Sequence, residues 1–214
     1  MQAPQDTKPR WERRKDARPQ ELLAAALEQF VERGYAATRL EDVAKRAGVS
    51  KGTLYLYFTN KEELFKAVVR ENIVQVIGEA EQDAAVFEGR SGELLRTILM
   101  GWWEEICTTH LAGITKLMLS EGQNFPELAK FYNEEVVQRG SDLITSVLVR
   151  GIDRGEFRPV DPAVMTPVLI APVMMLMMWT NSFMPACEMP PIDPLAFMET
   201  FIGTTLGGLQ AAAA

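Results

Sequence analysis

The chain has 214 residues, of which 47% are hydrophobic and 24% charged, with two cysteines, one histidine and a net charge of −7. That length buries a sizeable core and accommodates two domains. Two cysteines make no disulfide framework, and the lone His110 near Cys107 forms neither a zinc site nor a nucleophile–base pair, so no metal, cofactor or catalytic residue is expected and an enzyme is disfavoured.

The net charge argues against binding a polyanion, but it is uneven: residues 1–70 carry +4 and residues 71–214 carry −11. One end can face phosphate while the other repels it. The polar, basic first 20 residues do not resemble a secretory signal, and with so few cysteines this predicts a cytoplasmic protein.

Residues 1–17 lack apolar periodicity and predict a flexible basic tail, with Lys8, Arg10, Arg13, Arg14, Lys15 and Arg18 near its end. From Pro19 to Arg33, Leu22, Leu23, Ala26, Leu27, Phe30 and Val31 fall on one helical face, and Gly34 follows as a stop. Thr38 with Glu41 reads as a capping box for a short helix ending at Gly48. Ser50 caps a second short helix reaching about Phe58, and Asn60 with Glu63 caps a longer one through Ile77 that should link two domains. Two short helices joined by a tight Gly-containing turn form a helix-turn-helix pattern. Further helices are expected at roughly 91–108, 110–121, 126–154, 162–183 and 194–210, with no competing strand pattern. The fold class is therefore all-α: a helix-turn-helix domain over 18–66 and a larger helical domain over 67–214.

On a helical wheel of residues 51–58, Leu54 and Phe58 share one face while Gly52, Tyr55 and Leu56 point away, with Lys51, Thr53 and Tyr57 on the flanks. Two tyrosines and a leucine exposed on so short a helix suggest a contact surface that a DNA major groove would accept. There Lys51 can reach guanine O6/N7 or phosphate, Thr53 a base edge and Leu56 a thymine methyl, while Gly52 admits close backbone approach. Lys61 lies in the first turn of its helix, where a cation opposes the macrodipole unless a phosphate binds there.

Thr38-Arg39-Leu40-Glu41-Asp42-Val43-Ala44, then Gly48 to Phe58, then Asn60-Lys61-Glu62-Glu63-Leu64 closely resemble the signature of the TetR family of transcriptional regulators. The resemblance covers residues 19 to about 66 strongly and the rest by helix count and length. It implies base contacts from Arg39, Lys51, Gly52, Thr53 and Tyr55, and phosphate contacts from Thr38, Ser50, Tyr57 and Lys61. It also implies a homodimer on palindromic double-stranded operator DNA, acting as a repressor, with the last two helices forming the subunit interface. That places Met175, Trp179, Phe197, Phe201, Ile202 and Leu206 at the interface.

The second domain collects Trp102, Trp103, Met118, Phe125, Phe131, Tyr132, Met174 and Met178, a composition suited either to a core or to a pocket for a small apolar or amphipathic effector of unknown identity. Residues 163–187 are uncharged and of transmembrane length. Pro167, Pro172, interior polar residues and the absence of flanking Lys/Arg clusters favour a buried helix over a membrane span. A different reading is a DNA-binding dimer without small-molecule sensing, whose acidic helical domain docks a protein partner.

Overall fold

The computed structural model describes residues 10–187 and 192–211. Among them the chain forms eleven α-helices: α1 (Arg10–Ala37), α2 (Leu40–Arg46), α3 (Lys51–Tyr55), α4 (Lys61–Val69), α5 (Gln75–Val86), α6 (Ser91–Trp102), α7 (Leu111–Glu121), α8 (Pro126–Tyr132), α9 (Arg139–Asp153), α10 (Pro162–Met178) and α11 (Pro194–Leu209). Short π-helical stretches follow α4, α6, α8 and α10. One isolated bridge, Phe157 with Gln210, is the nearest approach to β-structure among the described residues.

The chain divides into two compact units, one ending at Val69 and the other beginning at Arg70. The division falls inside the long helical run that begins at Lys61. That run continues to Val86, beyond the expected Ile77.

The first unit closes around three rings. Phe30 stacks on Tyr35 at 5.7 Å between centroids, and Phe65 meets both edge-on at 5.2 and 5.5 Å. Leu22, Ala26, Val43, Leu54, Leu64 and Val68 complete a fully buried centre. Arg46 of α2 binds Glu32 of α1 through both terminal nitrogens at 2.6 and 2.8 Å, with Glu28 at 2.5 Å from its Nε. Arg33 reaches Asp42 at 3.1 Å.

The expected tail differs from what forms. Helix α1 already begins at Arg10 and carries Pro19 inside it, so residues 10–17 are helical; residues 1–9 lie outside the described residues. Arg, Lys, Glu and Ala favour helix strongly without needing an apolar stripe, which is why periodicity alone misses this turn.

In the second unit, Leu143, Ile144, Val147, Leu148 and Gly151 bury one face of α9. Ile144, Val147 and Leu148 pack in one cluster with Leu95 and Leu99 of α6 and with Leu169, Val173 and Leu176 of α10. Gly151 is required by close approach: a Cβ there would lie 2.1 Å from the Phe157 ring. Asp161 and Asp193 cap α10 and α11, accepting from Ala163 N at 2.9 Å and Leu195 N at 3.0 Å, each with a proline at the first helical position.

Candidate nucleic-acid interface

The turn between α2 and α3 is built by backbone chemistry. Gly48 adopts φ +67°, its N–H bonds Lys45 O at 3.1 Å, and Val49 N–H bonds Ala44 O at 2.9 Å. This pair of bonds is a Schellman closure, satisfying carbonyls that the end of α2 would otherwise leave open. Nothing lies within 4 Å of a Cβ placed at Gly48, so it is the left-handed φ, not crowding, that selects glycine. Ser50 Oγ then accepts from Thr53 N at 3.1 Å to start α3, and its hydroxyl pairs with Thr53 Oγ1 at 2.9 Å. Helical bonds continue past Tyr55, with Phe58 N–H reaching Leu54 O at 3.0 Å. Asn60 Oδ1 caps α4 through Glu63 N at 2.8 Å.

Leu54 is fully buried and Phe58 half-buried, which fixes α3 on one side. The other side presents Lys51, Gly52, Tyr55, Leu56 and Tyr57 to solvent, with Leu56 83% exposed. Thr53 is half-buried, and Arg39, preceding α2, is exposed. Gly52 is informative. Its φ is not left-handed, and an added Cβ would meet only Ser50 Oγ, at 3.8 Å. The fold itself leaves room for a side chain there, so neither packing nor backbone conformation requires glycine at this position.

Two residues expected to meet phosphate are engaged inward. Thr38, 1% exposed, does not cap α2, whose N-cap is Arg39. Its hydroxyl donates to Gly34 O at 2.7 Å, with Gln29 O at 3.1 Å, fastening the bend that Gly34 makes at φ 79°. Lys61 Nζ donates to Tyr35 O at 2.7 Å and Ala36 O at 3.1 Å, and lies 4.4 Å from the Tyr35 ring centre. A cation at the carbonyl end of α1 is favoured by that helix's dipole, which offsets its unfavourable place at the start of α4.

Glu41, unassigned by the sequence pattern beyond the capping role, pairs with the Lys51 ammonium, which sits 5.7 Å from the Tyr55 ring centre. The hydrogen bond and charge of Glu41 raise the Lys51 pKa above its ordinary range, and the bond from Lys51 lowers that of Glu41.

Residues 22–68 match the family model of bacterial regulatory proteins, tetR family, and residues 88–186 match that of a tetracyclin repressor-like C-terminal domain. A fatty acid metabolism regulator protein of Bacillus subtilis is 31% identical over 147 residues, spanning 67% of this chain and 74% of that protein. The chain belongs to the TetR family. The HTH-type transcriptional repressor KstR2 of Mycobacterium tuberculosis is 30% identical over 145 residues, spanning 67% of this chain and 71% of the repressor. The crystal structure of the transcriptional regulator FadR from Bacillus subtilis in complex with stearoyl-CoA shares the fold, with TM-score 0.75, 24% identity, and coverage of 89% of this chain and 99% of that one. The protein is thus a DNA-binding TetR regulator and not an enzyme, with helix-turn-helix and regulatory helical domains.

Within the TetR regulatory domain, Trp103 is buried in the main apolar cluster and Trp102, Met174 and Met178 pack against it. Met118, Phe131 and Tyr132 are buried and Phe125 is half-buried. Tyr132 shares a 2.9 Å hydrogen bond with Thr115, and burial pushes its phenol up to about 12. Burial likewise pushes the Cys107 thiol up to about 12, leaving it inert near neutral pH. An open depression of about 200 Å³ is lined instead by Arg90, Glu93, Arg96, Glu156, Phe157 and Leu206.

Of the six residues expected between subunits, Met175 is 53% exposed and Trp179, Phe197, Phe201 and Leu206 are half-buried. Ile202 is a correction: at 1% exposure it is consumed by its own subunit's core, because α11 turns Met198, Ile202 and Leu209 inward. The helical run Pro162–Phe183 has the length and hydropathy of a membrane span. In the TetR C-terminal domain it turns one face into the core, with Leu169, Val173, Leu176 and Met177 buried in the main cluster, while Val164, Val168 and Met175 stay exposed.

Proposed function

We propose that the protein is a cytoplasmic repressor that binds a palindromic operator as a homodimer and releases it on binding a small apolar or amphipathic effector. The observation that carries the reading is the α3 surface, where Lys51, Gly52, Tyr55, Leu56 and Tyr57 stand exposed above the buried Leu54. Arg39, Lys51, Gly52, Thr53 and Tyr55 are assigned to base edges, and Ser50 and Tyr57 to phosphate oxygens. Thr38 and Lys61 are assigned to shaping the domain.

The dimer reading is supported by an uncharged face on α10, where Val164, Pro167, Val168, Ala171 and Met175 are exposed at helical spacing. On α11, exposed Ala196, Gly203 and Gly207 permit close helix approach. Covering these faces with a second copy removes apolar surface from water, as subunit interfaces do. The effector class rests on the names of the relatives, which concern fatty acid metabolism and a repressor, and on the stearoyl-CoA bound by the structural neighbour. Trp102, Trp103, Met118, Phe125, Phe131, Tyr132, Met174 and Met178 supply adaptable apolar walls.

A ligand that prefers a conformation in which the two recognition helices are wrongly spaced, away from about one DNA turn, shifts the population off the operator. A coupling of roughly 1–3 kcal/mol suffices for a five- to 150-fold change in affinity. Titrating operator binding against stearoyl-CoA tests this: weakened DNA binding supports the reading, and tight effector binding without any change in DNA affinity refutes the coupling.

A further inference from the structure

We propose that Glu41 is a specificity-determining residue of the DNA-reading surface, neutralising the Lys51 ammonium in non-specific complexes and aiming it in specific ones. The inference rests on the reading of Lys51 as a base-contacting residue.

Lys51 and Glu41 come from different helices, α3 and α2, and both side chains are about half exposed, at 56% and 51%. A lysine at that place on the recognition helix would by itself meet a phosphate of any duplex, adding affinity that carries no sequence information. The carboxylate beside it cancels that charge locally. The Tyr55 ring, 5.7 Å from Nζ, and Glu41 together also confine the long side chain to one side of α3. An ammonium carries three donors. One held by Glu41 leaves the head aimed from a defined point, and an acceptor at the right place in the groove can engage it while the pair persists. Arg46, by contrast, spends its nitrogens on Glu28 and Glu32 and locks α2 to α1, so α2 carries Glu41 as part of a rigid frame. The pair thus converts a general phosphate binder into a positioned reader.

The test uses the full chain and its Glu41→Gln, Lys51→Ala and double variants. Each is titrated over a range of salt against a duplex that the wild type enriches from a random pool and against a shuffled duplex of the same composition. Glutamine keeps the acceptor oxygen and removes the charge. Glu41→Gln should tighten binding to the shuffled duplex by up to about fivefold, the upper end expected for releasing one exposed ion pair. It should steepen the plot of log K against log salt by about 0.9, the value of one added phosphate contact. Binding to the enriched duplex should gain less, so discrimination falls. These changes should vanish in the Lys51→Ala background. An unchanged salt slope, or the same change with and without Lys51, overturns the proposal, the latter because it would mean that Glu41 merely repels phosphate. If Lys51→Ala leaves sequence preference intact, the base-contact reading of Lys51 fails first. If Lys51→Ala alters preference while Glu41→Gln does not, only the role of Glu41 fails.

Discussion

The Lys61 ammonium lies 2.7 Å from the carbonyl oxygen of Tyr35 and 4.4 Å from the centre of its ring. One side chain at the start of α4 therefore closes the end of α1, beside the Phe30–Tyr35–Phe65 cluster that anchors the DNA-binding unit. Charge-assisted bonds of this type contribute about 1.5–3 kcal/mol, and Lys61→Ala should lower the urea midpoint of the protein correspondingly. Its DNA affinity should fall for every sequence with little change in salt slope. A slope reduced by about one unit at unchanged stability would instead make Lys61 a phosphate contact.

Gly52 separates folding from reading. Because nothing crowds a Cβ there, Gly52→Ala should leave stability unchanged or raise it by up to about 1 kcal/mol, the usual helical cost of glycine against alanine. It should nonetheless weaken binding to the enriched duplex. Gly48→Ala, at φ +67°, should do the opposite to stability, losing about 1–2 kcal/mol for a left-handed residue that carries a Cβ. Thermal melts and titrations on the same preparations distinguish the two glycines.

The caps at Ser50 and Asn60 and the buried Leu54 are legible in the sequence because each is decided within four residues. Thr38 is different. Thr-x-x-Glu spells a capping box, yet the bend at Gly34 brings the Gln29 and Gly34 carbonyls to its hydroxyl; the sequence marks Gly34 as a helix stop but not the partners that the bend presents to Thr38. Lys61 meets Tyr35 across 26 positions and Lys51 meets Glu41 across 10, separations that helical periodicity does not encode. Ile202 sits on a helix apolar around much of its circumference, so composition alone gives no sign of which face its own subunit takes.

The two thiols should differ in accessibility. Cys107 is buried and its pKa is raised from 9.0 to about 12, whereas Cys187 is exposed. A chromogenic disulfide should therefore label the exposed Cys187 rapidly and Cys107 only after unfolding. Since the folded state favours the protonated thiol, its contribution to stability is complete below pH 9.0 and declines as pH rises towards about 12. Rapid labelling of both thiols in the native protein would contradict this burial.

Charge on the open face of α10 should split the assembly. Val168 is 52% exposed and Met175 53%, so the Val168→Glu/Met175→Glu variant should remain helical by circular dichroism while sedimenting as a monomer. It should lose most of its operator affinity, because one recognition helix then binds alone. An unaltered dimer would move the interface away from this face.

The most direct test of the central assignment is selection of duplexes from a random pool by the purified protein, followed by sequencing, at near-physiological salt where non-specific phosphate attraction is held down. The proposed dimeric reader should enrich an inverted repeat whose half-sites are centred about 10 base pairs, or a multiple of that, apart, and Lys51→Ala should alter the recovered half-site. Recovery of no common sequence by a folded dimer would contradict the account.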